Sequence, residues 1–309
     1  MKKQGSGGLV GKPEMMIWDA HVHGYPGEVI SDPGEWGRRQ GERHWRHLVT
    51  EGPQGWADPE DLLRAMDSGG VEKALLQSWY WENPESAQRQ NEWHARWIER
   101  YPERFLACAA IHPEMQDPLR TLQEAREWGA CAIGECLPGI QNRQGWSHPA
   151  WQAILEWTTA SGWPACIHLT ESVGHSYPGR IETCLMEIVS LFEAHPGQKW
   201  LCAHWGGGLP FYALNRRVAK ALKHVWFDTA ASPLLYDPRI WRIACDLMGP
   251  EKILFGSDIP LLLYPRKEKT PSWDRFLVEF RGSGLRADEQ EAIGRNNLAA
   301  LLGLSPGGS

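Results

Sequence analysis

The sequence lacks three features that would each have pointed to a particular class of protein. It has no apolar run long enough to cross a membrane, which argues against a membrane protein. It has no extended basic run, and its formal net charge of −6 disfavours nucleic acid as a partner. Its seven cysteines show no Cys-x-x-Cys spacing, so neither a disulfide framework nor a thiolate zinc site is expected.

The remaining composition is that of an ordinary globular protein. Hydrophobic residues make up 42% of the 309 positions and charged residues 23%. The first eight residues are basic but lack an apolar core, which predicts a flexible tail over residues 1–15 rather than a signal peptide. Together with the cysteine usage this favours a cytoplasmic protein, and it leaves homo-oligomerisation open.

Short apolar runs alternate with helical patterns along the chain, and no repeat or linker interrupts them. Eight such units predict a parallel sheet covered on both faces, and hence a single-domain (β/α)8 barrel over residues 16–305. The predicted strands cover residues 16–20, 73–78, 104–112, 130–135, 164–168, 199–204, 224–228 and 252–258. The predicted helices cover residues 58–69, 85–100, 117–129, 149–160, 180–194, 209–222, 239–247, 273–280 and 287–302. Residues 24–57 show no clean periodicity and are expected to form an irregular lid loop.

Polar side chains follow the predicted strands where each one ends. His21 and His23 point to the same face of the first strand, as two metal ligands from one element would. The other strand ends carry His112, Glu135, His168, His204, Asp228 and Asp258. Because the carboxyl ends of barrel strands form one mouth, these groups are expected to converge on zinc or a similar divalent ion.

Some of these residues have plainer explanations. His112 precedes a proline, and a turn or capping role is favoured for it. Asp228 is equally suited to orienting a neighbouring ligand through a hydrogen bond. His94, His148 and His195 are expected at the surface. Tryptophans after predicted strands are candidates for a flat pocket wall, namely Trp79, Trp81 and Trp205.

Four motifs, in this order along the chain, resemble the amidohydrolase superfamily, and its amidohydrolase-related branch of aminocarboxymuconate-semialdehyde decarboxylase-like proteins in particular. They are His21-x-His23, Ile167-His168, Ala203-His204-Trp-Gly-Gly-Gly and Phe255-Gly-Ser-Asp258-Ile-Pro. Two further segments, Ala110-Ile-His112-Pro and Ile133-Gly-Glu135, are similar to the TatD-like metal hydrolases. The carboxylated lysine of other superfamily members has no counterpart, because no lysine lies between Lys73 and Lys199.

The resemblance implies a role for each matched residue. His21, His23 and Asp258 would bind a first metal ion, and His168 would bind metal in either branch. His204 would ligate a second ion or act as a free acid/base group, and Glu135 would bridge two ions. Zn²⁺ is the expected metal, with Mn²⁺ as the alternative, and two ions per chain are favoured over one.

The expected activity is metal-dependent hydrolysis of a small amide, ester or lactone, with Asp258 and His204 as catalytic residues and Asp258 as general base. The alternative is non-oxidative decarboxylation of an aromatic or unsaturated acid, whose carboxylate Arg38, Arg39, Arg43 or Arg180 could bind. A TatD-like phosphodiesterase comes third. A non-catalytic binding protein is disfavoured because the ligand set is complete.

Overall fold

The protein is a (β/α)8 barrel, as the sequence predicts. The structure, a computed structural model, describes residues 15–51, 54–178, 180–263 and 267–305. All but one residue of the predicted N-terminal tail lie outside this part of the chain. Eight parallel strands follow one another around the sheet in chain order. They are β1 (Ile17–Val22), β2 (Val71–Leu76), β3 (Phe105–Ala109), β4 (Ala132–Cys136), β5 (Ala165–Ile167), β6 (Trp200–Cys202), β7 (Val225–Asp228) and β8 (Ile253–Leu254).

Backbone hydrogen bonds from the chain after β8 to β1 close the barrel. The Ala20 amide donates to the Phe255 carbonyl at 2.7 Å, and the Asp258 amide donates to the His21 carbonyl at 2.9 Å. A parallel bridge between Val22 and Ile259 continues this pairing. The two segments that carry predicted metal ligands are therefore neighbours in space, although more than 230 positions separate them in the sequence.

Helices lie between successive strands along the chain and after the last strand. They are α1 (Gly27–Ile30), α2 (Pro33–Gln40), α3 (Arg43–Glu51), α4 (Pro59–Gly69), α5 (Pro84–Arg100), α6 (Pro118–Glu127), α7 (Pro138–Gln141), α8 (Pro149–Ser161), α9 (Leu185–Ala194), α10 (Arg216–Ala221), α11 (Ser232–Leu235), α12 (Ile240–Met248), α13 (Asp274–Arg281), α14 (Ala287–Glu291) and α15 (Asn297–Leu302). Short 3₁₀ segments cover Gly145–Ser147, His204–Tyr212, Leu222–His224 and Pro250–Lys252, and a π turn covers Ala292–Asn296.

A buried cluster occupies the barrel interior, and α15 contributes to it. Seven of the eight strands supply buried members, among them the small residues Ala20, Cys108, Ala132 and Cys166 and larger ones such as Trp18. Because side chains alternate along a strand, the other face of each strand packs against the helices. The polar groups at the carboxyl ends of the strands lie at the barrel mouth.

The predicted irregular loop over residues 24–57 is wrong, because the segment contains α1, α2 and α3. Asp32 caps α2 by accepting a hydrogen bond from the Glu35 amide, and Pro33 occupies the first turn. The same Asp-Pro signal at Asp58 correctly predicts α4. Trp36 and Trp45 bury this segment against Trp81, with ring centroids 5.3 and 5.5 Å away. Tertiary packing of aromatic rings, which periodicity does not reveal, therefore orders it.

Three predicted helices differ from the observed ones. The helix expected over 180–194 begins only at Leu185, and the one over 209–222 is divided between a 3₁₀ segment and α10. The helix expected over 287–302 contains the π turn. Among the described residues, no helix is both long and apolar enough to cross a membrane.

Candidate metal centre

The two histidines of β1 and the aspartate after β8 converge at the barrel mouth. The Nε2 atoms of His21 and His23 are 3.2 Å apart. Asp258 Oδ1 lies 3.6 Å from each of them. Two ligands that each lie about 2.1 Å from a tetrahedral ion are ~3.4 Å apart, so these separations fit one divalent cation held by all three residues.

Glu135, at the end of β4, lies between two groups of histidines. Its Oε2 atom is 3.6 Å from Nε2 of both His21 and His23. Its Oε1 atom is 3.0 Å from His168 Nδ1 and 3.7 Å from His204 Nε2. One carboxylate oxygen therefore faces the β1 pair, and the other faces the histidines that follow β5 and β6.

Asp228, at the end of β7, orients two of the histidines, His21 and His204. Its Oδ2 atom lies 2.9 Å from His21 Nδ1, which directs Nε2 of that ring towards the centre. Its Oδ1 atom accepts a hydrogen bond from the His204 amide at 3.0 Å. Asp228 thus contacts one residue from each histidine group. Of the two roles open to Asp228 from the sequence, this geometry matches that of an orienting residue.

A run of left-handed residues presents His204. His204 and Trp205 have φ values of 56° and 54°, and the next three residues, Gly206 to Gly208, also have positive φ. A Cβ atom on Gly207 would lie 2.7 Å from the Thr170 carbonyl oxygen. Glycine is therefore required where this turn passes the segment after β5, and the turn directs His204 into the mouth.

The cluster is buried and its charges are strongly coupled. Burial opposes a positive charge on His21, but the carboxylates of Asp228 and Glu135 outweigh it and raise the pKa of His21 well above its ordinary value. Burial, followed by the charge on His21, lowers the pKa of His23 to about 3. Burial also opposes charge on His204, but a hydrogen bond to Glu135 and the charge of Asp258 raise its pKa to about 9.

The pKa values of the carboxyl groups of Glu135 and Asp258 are also shifted. Burial disfavours the ionised form of Glu135, yet the charges of His168 and His21 hold the pKa of Glu135 well below its usual value. Burial raises the pKa of Asp258. Without an ion the cluster neutralises its carboxylates with protons on histidine. A divalent cation would replace those protons with the same sign of charge, so the donor set fits a metal both in geometry and in charge.

A cavity of about 550 Å³ opens onto this cluster. One wall consists of Trp79 and Tyr80, whose rings stack with centroids 4.6 Å apart and an angle of 28°. The Tyr80 ring also lies 5.1 Å from the His168 ring. Apolar side chains complete much of the remaining lining, namely Leu48, Leu137, Leu169, Val173, Ile181, Leu234, Leu235 and Leu261.

The structure confirms the predicted positions of only some of the residues outside the metal cluster. Trp79 lines the cavity as expected, whereas Trp81 and Trp205 are buried in the core. His112 accepts a hydrogen bond from the Glu114 amide, the turn role favoured for it. Tyr80 was missed, although its position between two tryptophans directly after β2 is a usable signal.

The surface position expected for His94 is wrong. Its ring is fully buried on α5, where Nδ1 lies 3.0 Å from the Cys108 carbonyl oxygen. The candidate carboxylate-binding arginines do not line the cavity. Arg38 instead pairs with Glu35, and Arg180 donates to the backbone carbonyl of Glu171.

The fold and the site define a metal-binding barrel enzyme, and comparison with known proteins identifies its family. The amidohydrolase family profile matches residues 18–304, so the chain belongs to that family. It is an enzyme of the amidohydrolase superfamily, in the branch that the four motifs resemble.

Several named relatives are decarboxylases. The chain is 26% identical over 294 residues to 2-amino-3-carboxymuconate-6-semialdehyde decarboxylase from Dictyostelium discoideum, covering 81% of this chain and 77% of that one. A crystal structure of 2,6-dihydroxybenzoate decarboxylase with 2,6-dihydroxybenzoate superimposes with a TM-score of 0.71 at 19% identity, over 94% of this chain and all of the other. A dihydroxybenzoic acid decarboxylase from Polaromonas sp. JS666, with manganese and the inhibitor 2-nitroresorcinol, gives 0.70 at 17% identity, over 94% and 97% of the chains.

These relatives correct the predicted activity. The expectation of a hydrolase acting on an amide, ester or lactone is wrong, because the relatives remove a carboxyl group instead of adding water. The TatD-like phosphodiesterase finds no support among them either. The motifs of this superfamily specify a metal centre that different reactions share, so the motifs alone could not distinguish hydrolysis from decarboxylation.

Proposed function

We propose that this protein is a metal-dependent, non-oxidative decarboxylase of a small aromatic acid. The observation that carries the proposal is the cavity: a stacked aromatic wall, Trp79 and Tyr80, leads directly to a buried cluster of histidines and carboxylates. A planar ring acid fits this arrangement, with its ring against the wall and its carboxylate towards the cluster. The decarboxylase relatives support the same reaction class.

His21, His23 and Asp258 would hold one divalent ion, and Glu135, His168 and His204 would hold a second. The bound metal supplies positive charge that attracts the anionic oxygens of the substrate. Two ions per chain remain favoured, because Glu135 presents one oxygen to each histidine group. Manganese or zinc suits this mixed nitrogen and oxygen donor set, and the manganese of the Polaromonas relative favours manganese.

The reaction breaks the bond between the ring and its carboxyl carbon. Carbon dioxide leaves, the electron pair stays on the ring carbon, and one proton is added there. Asp258 lines the cavity and is able to carry that proton. His204 also lines the cavity, and it is able to carry the proton only if it does not ligate the second ion. Trp79 and Tyr80 would fix the plane of the ring and exclude water from the cavity.

A direct assay tests this proposal. Metal-loaded protein is incubated with a panel of hydroxybenzoic acids that includes 2,6-dihydroxybenzoate, while carbon dioxide and the ring product are quantified. We expect equal amounts of both, and no carbon dioxide after removal of the metal with a chelator. Failure to release carbon dioxide from any acid in the panel would overturn the proposal.

We further propose that residues 16–305 form a single domain and that the protein acts in the cytoplasm, without a nucleic-acid partner. A homo-oligomer is compatible with this proposal.

A further inference from the structure

Strand β1 changes the direction of its side chains partway along its length. Ile17 packs in the outer cluster that includes side chains of α4, whereas Trp18 and Ala20 belong to the cluster in the barrel interior. Because side chains alternate along a regular strand, Val22 should share the interior face with Trp18 and Ala20. Val22 instead packs in the outer cluster. The alternation is therefore interrupted between Ala20 and Val22.

The pairing of β1 with β2 shows the cause of this interruption. Asp19 lies opposite Ala74 and Val22 lies opposite Leu76, so three steps along β1 correspond to two steps along β2. One extra residue in a strand is a β-bulge, and a bulge changes the direction of the side chains that follow it. In a regular strand, His21 would lie on the same face as Asp19. The bulge instead turns His21 into the barrel mouth.

The carboxylate of Asp19 holds this bulge. The side chain is fully buried, and its Oδ1 atom accepts a hydrogen bond from the His21 amide at 2.9 Å. The same oxygen accepts from the amide of Ser257, the residue before Asp258, at 3.1 Å. The other oxygen, Oδ2, accepts from the indole Nε1 of Trp273 at 2.6 Å, and the Ser257 hydroxyl is a further partner of the carboxylate. One carboxylate therefore joins two segments that carry predicted metal ligands.

Asp19 itself does not line the cavity, and it meets Trp273 on the helix side of the sheet. Burying a carboxylate is costly, and the donors that reach this one are neutral. An apolar residue would avoid this cost but would leave the bulge without its hydrogen bonds.

We infer that Asp19 is a positioning residue for the metal site: it fixes the bulge that turns the β1 histidines into the mouth, and it holds the segment that carries Asp258 beside them. This inference rests on the metal site of the proposed function, but it does not depend on the reaction that is performed there.

Asp19→Asn tests this role by replacing one oxygen atom with an NH₂ group. The remaining oxygen can accept from both backbone amides, but the NH₂ group then faces the Trp273 indole N–H, donor against donor. Turning the side-chain amide over moves the conflict to the two backbone amides. We expect one manganese ion to bind about tenfold more weakly, the scale for losing a partner that orients metal ligands. Titration of chelator-treated protein with manganese, followed by calorimetry, measures this affinity.

A second substitution separates position from charge. In Asp19→Asn/Trp273→Phe the indole donor is gone, so the asparagine oxygen can return to the two backbone amides and its NH₂ group can donate to the Ser257 hydroxyl. The lost negative charge is the same as in Asp19→Asn. The affinity of the double variant for manganese should nevertheless return to within about threefold of that of Trp273→Phe.

Two tryptophan variants separate position from stability. Trp273→Phe should lower the free energy of unfolding in urea, because a buried ring and a hydrogen bond are lost, but it should keep the wild-type manganese affinity. Trp18→Phe is the matched control. It removes an indole hydrogen bond to the Glu72 carboxylate from the same strand, and it should also lose stability without losing manganese affinity.

Wild-type manganese affinity in Asp19→Asn, or a double variant that binds as weakly as Asp19→Asn, overturns the role of Asp19. If Asp19→Asn does not fold, the double variant is compared with Trp273→Phe. A difference of about tenfold between them then overturns the role, and so does an unfolded double variant, because one oxygen at the two amides would not suffice.

Manganese binding and turnover separate this inference from the proposed reaction. A wild type that binds no manganese overturns the metal site and the role of Asp19 together. The expected order of affinities in a protein that releases no carbon dioxide supports the role of Asp19 and overturns the decarboxylase proposal instead.

Discussion

Glu135 is the residue on which the number of metal ions depends. Its two carboxylate oxygens face ring nitrogens of different histidine groups. We predict that the wild type binds two divalent ions per chain and that Glu135→Ala binds about one. Elemental analysis of protein dialysed against metal-free buffer measures this, with the exposed Glu127→Ala as control. Equal metal content in wild type and Glu135→Ala would show that Glu135 does not bridge.

Asp258 joins the metal site to the reaction. Its Oδ1 atom is 3.6 Å from both β1 histidines, and its side chain faces the cavity. We predict that Asp258→Asn keeps the fold but lowers kcat for carbon dioxide release by about a hundredfold, the scale for losing an acid/base group. Asp246→Asn, which changes an exposed ion pair on α12, should retain wild-type turnover. A near-normal kcat in Asp258→Asn would remove this residue from the mechanism.

Helix α5 buries His94, and this residue makes stability depend on pH. Burial lowers the pKa of His94 to about 4, so the unfolded chain binds more protons than the folded chain between pH 6.5 and pH 4. The free energy of unfolding should therefore fall on acidification through this window, by about 3 kcal/mol for this residue alone.

Urea unfolding from pH 4 to pH 7 measures this contribution. His94→Leu should be less stable at pH 7, because it loses the hydrogen bond to Cys108, but its stability should depend less on pH. Asn91→Leu, which removes a buried group without a titratable proton and its hydrogen bonds with Ala110 from the same helix, is the matched control and should keep the wild-type slope. Identical slopes for His94→Leu and the wild type would contradict the assignment.

The glycine turn after β6 provides a second test at the level of an element. Gly207→Ala places a methyl group 2.7 Å from the Thr170 carbonyl oxygen at a φ of 60°, so both strain and a backbone clash result. We predict a loss of about 2 kcal/mol in stability together with reduced turnover, because the turn presents His204. Gly139→Ala, which meets nothing within 4 Å, should change neither. Chemical unfolding and kcat measurements on both variants decide the matter.

Elements were predictable from the sequence where a local signal came with a clear apolar pattern, which the Asp32-Pro33 pair of α2 lacks. Continuous apolar runs predict all eight strands, and an Asp-Pro pair predicts the start of α4. The helices over residues 27–51 were missed because aromatic packing between distant segments orders them. His94 was misplaced because its hydrogen bond to the Cys108 carbonyl, on the neighbouring strand, is not visible in the helix alone.

The candidate site was more predictable than the reaction. Barrel topology requires strand ends to meet, so His21, Glu135 and Asp258 converge as expected. The cavity wall depends on Tyr80 and on the segment after β5, which lacks helix and strand in its described part. Segments of this kind carry little periodic pattern, and specificity is determined by them.

At the scale of the whole molecule, metal binding should contribute to stability. The cluster concentrates buried carboxylates and imidazoles, and a bound cation compensates their charge only in the folded state. We predict that manganese at a thousandfold excess over its Kd stabilises the protein by about 4 kcal/mol and raises Tm by several degrees. Calorimetric scans of chelator-treated protein, with and without added manganese, measure the shift. Scans that coincide would contradict a folded metal site.

The closure of β8 onto β1 sets the order in which the protein matures. During synthesis, His21 and His23 leave the ribosome long before Asp258, whose backbone amide donates to the His21 carbonyl where the barrel closes. A nascent chain therefore contains both histidines without their carboxylate partner. We expect the ion at these histidines to bind only after the last strand has docked, and hence after translation. A chain truncated before Ile253 should consequently retain less manganese on gel filtration than the full chain.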